Sequence, residues 1–287
     1  MSEQLLSLRD LRVSFGTRGV LRKPREALHG VSLDVAAGET LGVVGESGSG
    51  KTTIGRAVLG LVKPSGGSIH FDGTDITAAN AAKRRRLARD MQVVFQDPYS
   101  SLNPTMTIGE ILTEPLVTQG STARDARSRV RGLLDEVGLP LGAIDRLPRE
   151  FSGGQRQRIA IARALAPSPR LIVCDEPVSA LDLTTQARVL ELLLEIQRST
   201  GVAYLFISHD LAVVRHISHR VAVLYRGDLV ETGPAAIVTK TPEHPYTERL
   251  LLAAPVADPA AQERRRAERV RLREEQRARD EQAGAVL

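Results

Sequence analysis

Three stretches of the chain are nearly unbroken in apolar character: TLGVVG (40–45), LIVCDE (171–176) and AYLFIS (203–208). A strand with one wet face alternates apolar and polar residues, so these continuous runs predict strands buried on both faces of a parallel sheet. LLSLRDLRVSF (5–15) and ALHGVSLDV (27–35) do alternate. They predict half-exposed antiparallel strands joined by a long basic connection. VVFQDP (93–98) predicts a further short strand ending in Gln96, and VAVLYRGDLVETG (221–233) a closing hairpin turning at Arg226-Gly227-Asp228. Helical spacing fills 50–61, 154–166, 184–199 and 211–217, and this alternation with strands predicts an α/β fold around a parallel sheet. Between 97 and 168 no convincing strand pattern occurs, which predicts a mostly helical insertion. From Ala254 a Pro/Ala linker leads into an almost wholly charged run, where Arg271, Glu275 and Arg279 stand at i, i+4 spacing. That tail, 256–287, reads as a solvated helix or a frayed end.

The chemistry sits at the ends of the apolar runs. GESGSGKT (45–52) fits the Walker A pattern, follows a buried strand and opens a helix. Gly45, Gly48 and Gly50 let backbone N–H groups turn toward phosphate, with Glu46, Ser47, Ser49 and Thr53 completing the loop. Lys51 places a point charge on the β- and γ-phosphates, and the Thr52 hydroxyl suits Mg²⁺. LIVCDE carries Asp175 to the carboxyl edge of a strand, where ligands bind in open α/β sheets. Asp175 is read as a Mg²⁺ partner, and Glu176 as the group that polarises an attacking water. Gln96 is suited to touch Mg²⁺ or that water at the start of the helical insertion, as a hinge. His209, in ISHD (207–210), ends the next buried strand and is either structural or a γ-phosphate sensor. A second phosphate-binding signal occurs at FSGGQ (151–155). Ser152 is a natural N-cap, Gly153 and Gly154 allow close approach, and an apolar-periodic helix follows.

Composition narrows the alternatives. Aromatics make up 3% of the chain and Trp is absent, which argues against a surface that stacks single-stranded nucleic acid. The formal charge of +5 is explained by an ordinary soluble surface and the Arg-rich tail. Cys174 is the single cysteine, so no disulfide forms within the chain; its place in a buried strand makes it a small core residue. The opening MSEQLLSLRD lacks a long apolar core and is not expected to be a signal peptide. No apolar run approaches the roughly 18 residues of a spanning helix.

In order and spacing, Walker A, Gln96, FSGGQ, the Walker B run, SALD (179–182) and His209 resemble the ATP-binding cassettes of ABC transporters, over about residues 5–255. The resemblance implies a P-loop NTPase cassette, an N-terminal antiparallel β subdomain and a helical subdomain near 97–168. It implies ATP and Mg²⁺ as ligands, with Phe15 stacking on adenine across a basic insertion at 17–26. Cassettes of this family pair head to tail, so Ser152, Gly153, Gly154 and Gln155 would cap the ATP held by the partner. GVVGESGSGKTT, VVFQDPYSSLNP, ILTEPL, CDEPVSALD and HPYTERLL (244–251) look more narrowly like the importers of dipeptides, oligopeptides and nickel. That implies a second cassette, two transmembrane permease subunits and, indirectly, an extracytoplasmic solute-binding protein, with this chain peripheral on the cytoplasmic face of the membrane. Phe151 replaces the commoner Leu of the signature, an apolar exchange. The tail lacks the cysteines that hold an iron–sulfur centre in some relatives, so none is expected.

Two other classes fit less well. Cassettes acting on chromosomes carry a very long coiled coil between Walker A and signature, whereas only about a hundred residues intervene here without sustained heptads. Those acting on ribosomes carry two cassettes in one chain. KRRR (83–86) is the best nucleic-acid feature and reads as a solvated helix face, so no nucleic-acid partner is expected. A non-hydrolysing regulatory cassette is disfavoured by the presence of both Glu176 and His209.

Overall fold

A computed structural model of the chain describes residues 4–16 and 25–253. The alternating N-terminal runs form β1 (Gln4–Phe15) and β2 (Arg25–Ala36), paired antiparallel. Next come β3 (Thr40–Val44), α1 (Lys51–Val58), β4 (Gly66–Phe71), β5 (Thr74–Asp75), α2 (Ala81–Leu87) and β6 (Met91–Val94). Four helices follow: α3 (Pro98–Ser101), α4 (Ile108–Thr118), α5 (Ala123–Glu136) and α6 (Gly153–Leu165). The chain then alternates through β7 (Leu171–Asp175), α7 (Leu183–Thr200), β8 (Ala203–Ser208) and α8 (Leu211–Ile217). It ends in β9 (Arg220–Tyr225), β10 (Asp228–Pro234), α9 (Ala235–Val238) and α10 (Pro245–Ala253). The tail beyond 253 and most of the basic insertion lie outside the described residues.

Two sheets organise the molecule. One is antiparallel in the order β2-β1-β4-β5. The other runs β10-β9-β3-β8-β7-β6, parallel except for the antiparallel β9–β10 hairpin at its edge. The apolar runs are buried on both faces, as their pattern requires. On β7, Leu171 and Val173 join the core shared with the antiparallel sheet and α1, while Ile172 and Cys174 face the core built with α6 and α7. On β8, Leu205 and Ile207 face the first core, Tyr204 and Phe206 the second.

Some expected boundaries move. Helix α1 stops at Val58 rather than 61, because Gly60 takes a left-handed φ of 73° just past the last turn. The strand expected at 93–98 lies at Met91–Val94 instead, limited to the register it shares with β7, so Gln96 sits in the loop beyond it. β1 is paired on both edges, by β2 and β4, with Leu8, Leu11 and Val13 buried on one face. The short β4, β5 and α2 carry no strong periodic signal and went unpredicted.

Candidate functional site

The carboxyl ends of β3, β7 and β8 converge on a cleft of about 1370 Å³. The loop after β3 forms its floor. Gly45, Glu46, Ser47, Gly48, Gly50, Lys51, Thr52 and Thr53 all line it, and Ser49 is buried beneath. The loop is pressed against the hairpin of β9 and β10: a Cβ on Gly45 would collide with the Leu224 carbonyl oxygen. Gly50 has a φ of 107° and lies against Ala27, where a Cβ would come within 2.8 Å of the carbonyl oxygen. The Gly227 N–H donates to the Ser49 carbonyl oxygen at 3.0 Å, tying the hairpin turn to the loop.

Lys51 is buried at the head of α1, and its Nζ donates to the Gly45 and Glu46 carbonyl oxygens at 2.7 and 2.8 Å. Burial pushes the ammonium's pKa down, opposed by the negative charge of Glu176, Asp175 and Glu46. The Thr52 hydroxyl donates to Asp175 Oδ1 at 3.0 Å. Burial raises the Asp175 pKa; Thr52 works against this, and the neighbouring Glu176 adds to it.

Glu176 is the meeting point of the wall. Its φ of 50° is left-handed, an uncommon conformation for a side-chain-bearing residue and of a kind concentrated at functional sites. The turn is braced by its N–H, which donates to the Ile207 carbonyl oxygen of β8 at 2.9 Å. Glu176 Oε2 accepts from Gln96 Nε2 at 3.2 Å and lies 3.0 Å from His209 Nδ1. Three residues drawn from three separate loops are thus joined at one carboxylate oxygen. His209 thus lines the cleft. Phe15, half exposed, also lines the cleft, as do Arg25, Glu26 and Arg226. Sequence patterning did not mark Arg25, Glu26 or Arg226 as cleft residues, because their proximity depends on β2 and the β9–β10 hairpin packing around the loop.

The signature residues stand apart. Ser152 caps α6 in a reciprocal box: the Gln155 N–H donates to Ser152 Oγ, and the Ser152 N–H to Gln155 Oε1 at 3.0 Å. Gly154 packs on Thr185, and Gly153 lies near Tyr99 and Leu181. None of Ser152, Gly153, Gly154 or Gln155 lines the cleft formed by the chain's own phosphate loop.

The donor set fits a hard cation beside phosphates. A hydroxyl, a carboxylate and an amide oxygen, from Thr52, Asp175 and Gln96, are oxygen ligands of the kind Mg²⁺ takes. The buried Ser49 hydroxyl has no hydrogen-bond partner and marks a loop whose polar groups are not all satisfied from within.

Residues 28–179 match the family model described as ABC transporter. The chain belongs to the ABC transporter family. The solved structure of cbiO1 from Clostridium perfringens, part of an ABC transporter complex, superposes with a TM-score of 0.74 at 25% identity, covering 84% of this chain and 92% of that one. The ATP-binding cassette MJ0796, a dimer bound to ADP and Pi, superposes with a TM-score of 0.72 at 28% identity, over 80% of this chain and 99% of that one. The fold is therefore that of an ABC cassette. Among curated relatives, the glutathione import ATP-binding protein GsiA of Escherichia coli (strain K12) is 52% identical over 265 residues, as is its counterpart in Shigella boydii serotype 4 (strain Sb227). The match takes in 91% of this chain but 42% of each relative, so the cassette spans less than half the length of those proteins.

Proposed function

We propose that this cassette binds and hydrolyses ATP as the energy-coupling subunit of an importer of small peptides. The observation that carries the reading is the convergence of Gln96, Glu176 and His209 on one side of a cleft floored by the phosphate loop. The naming of the GsiA relatives for import of glutathione, itself a small peptide, supports the peptide class over nickel.

In this reading the triphosphate lies along the 45–53 loop, with Lys51 moving from the Gly45 and Glu46 carbonyls onto the β- and γ-phosphates. Thr52, Asp175 and Gln96 would hold Mg²⁺, which when bound would neutralise charge on the phosphate oxygens. Glu176 orients and polarises the attacking water, and His209 donates a hydrogen bond to the γ-phosphate. Phe15 offers an apolar face to the base.

The chain acts as one half of a head-to-tail pair. Ser152, Gly153, Gly154 and Gln155 lie outside their own cleft and present a helix N-terminus to the γ-phosphate in the partner, a preferred place for an anion. The domain spans 1–255, and its helical lobe, about 97–168, transmits closure through the Gln96 loop to two membrane-spanning permease subunits. The cassette thus works at the cytoplasmic face of the membrane, fed indirectly by a solute-binding protein. Among the described residues no helix is long and apolar enough to cross a membrane.

The test is ATP turnover against protein concentration. Specific activity is expected to rise with concentration as pairs form, and small peptides are expected to stimulate it once permease and solute-binding partners are reconstituted. Constant specific activity down to concentrations at which the chain is monomeric would refute the pairing.

A further inference from the structure

The HPYT stretch returns to the phosphate loop from a point 200 residues away along the chain. Tyr246, in the first turn of α10, is 2% exposed. Its hydroxyl accepts a hydrogen bond from the Glu46 N–H at 2.8 Å, and its ring packs on Tyr225 with centroids 4.3 Å apart. The start of α10 is itself anchored: Glu231 of β10 accepts from the N–H groups of Glu243 and His244, and His244 Nδ1 accepts from the Tyr246 N–H. Leu250, one turn further on, lines the cleft.

The Gly45–Glu46 peptide is consequently gripped from two sides. In a trans peptide the C=O and N–H point in opposite directions. Here the Gly45 carbonyl oxygen accepts from Lys51 Nζ on the cleft side, while the Glu46 N–H donates to Tyr246 on the outer side. Rotation of this peptide plane would break both bonds together. We infer that Tyr246 is a positioning residue for the phosphate loop: its hydroxyl fixes the Gly45–Glu46 peptide plane at the start of the loop, and so tunes nucleotide affinity from α10. The inference rests on the proposed reading of the cleft as the ATP site. Burial raises the pKa of the phenol, so it remains a neutral hydroxyl through the working range.

The test compares ATP binding and turnover by the full chain with those of Tyr246→Phe and Thr247→Val. Tyr246→Phe keeps the ring on Tyr225 and leaves the Glu46 N–H unpartnered. It is expected to raise Kd and KM for ATP about tenfold with kcat at saturation nearly unchanged. Thr247→Val removes a buried hydroxyl of the same helix that has no partner; it is expected to leave Kd and KM alone. A normal KM in Tyr246→Phe, a loss confined to kcat, or an equal rise in Thr247→Val overturns the inference. Should Tyr246→Phe not fold, amide exchange of the unaltered, nucleotide-free chain decides. Protection of the Glu46 N–H relative to an unstructured chain supports the contact, and free exchange overturns it. Absence of ATP binding by the unaltered chain refutes the nucleotide reading instead, and the exchange measurement still tests the contact.

Discussion

His209 Nδ1 lies 3.0 Å from Oε2 of Glu176, across the ends of the adjacent strands β8 and β7. The contact depends on the left-handed φ of Glu176, which departs from the strand direction just after Asp175. Asp175 and Glu176 are neighbours in sequence, yet one pairs with Thr52 at the loop and the other with Gln96 and His209 on the wall. In the proposed reading, that separation leaves one carboxylate for a cation and the other for water.

Replacing Glu176 by Gln keeps the size and the hydrogen-bonding reach of the side chain but removes the proposed base. Single-turnover assays are expected to show hydrolysis slowed by about 10²-fold or more. Equilibrium titration is expected to show ATP binding retained and the closed pair accumulating. Parental turnover in this variant would remove Glu176 from the role.

Lys51→Ala acts earlier. The buried ammonium donates to the Gly45 and Glu46 carbonyl oxygens, and phosphate is a far better partner for it. Nucleotide affinity is expected to fall by about 10- to 100-fold, measured by calorimetry. Unchanged affinity would mean that Lys51 stays on the Gly45 and Glu46 carbonyls when ATP binds.

Mixing two inactive variants tests the head-to-tail arrangement. A side chain at Gly154 would drive into Thr185 and displace the signature turn, so Gly154→Val is expected to be inactive, as is Lys51→Ala. In a mixed symmetric pair, one composite site joins the intact phosphate loop of the first variant to the intact signature of the second. Equimolar mixing is expected to restore about a quarter of parental activity. No recovery, in a mixture shown to form mixed pairs, counts against a shared site.

Asp175 links function to stability. Its native pKa is raised chiefly by burial, so the folded, ligand-free chain holds a proton more tightly than the unfolded chain does. Stability from this group therefore falls as pH rises from the ordinary Asp range through the raised native value. Asp175→Asn removes the penalty and can still accept from Thr52. It is expected to raise the melting temperature of the ligand-free chain at neutral pH by about 2–3 °C while abolishing turnover. Thermal unfolding across pH 4 to 8 checks both the gain and its disappearance in acid.

Much of this site was visible before folding because its parts sit at chain positions fixed by local rules. A continuous apolar run followed by Gly45, Gly48 and Gly50 has to be a buried strand ending in a tight turn. Ser152 ahead of two glycines and an apolar-periodic helix has to be a cap, and it is. Gln96 and His209 were recognisable as residues near strand ends, although the strand before Gln96 proved shorter than its apolar pattern. In the sequence Tyr246 stands out only as part of HPYT, and Arg226 only as part of a turn.

Local pattern and spacing thus determined the α/β class, the phosphate loop, the two carboxylates at the end of β7 and the capped signature helix, because propensity, periodicity and backbone sterics act within a few residues. The tertiary structure alone decided what meets what: Gln96 and His209 on one oxygen of Glu176, Tyr246 on the Glu46 N–H, and the signature residues outside the lining of their own cleft. Those relationships arise when strands distant in sequence take adjacent places in a sheet. Strand order is set by burying two cores at once, a global packing condition that no single segment contains.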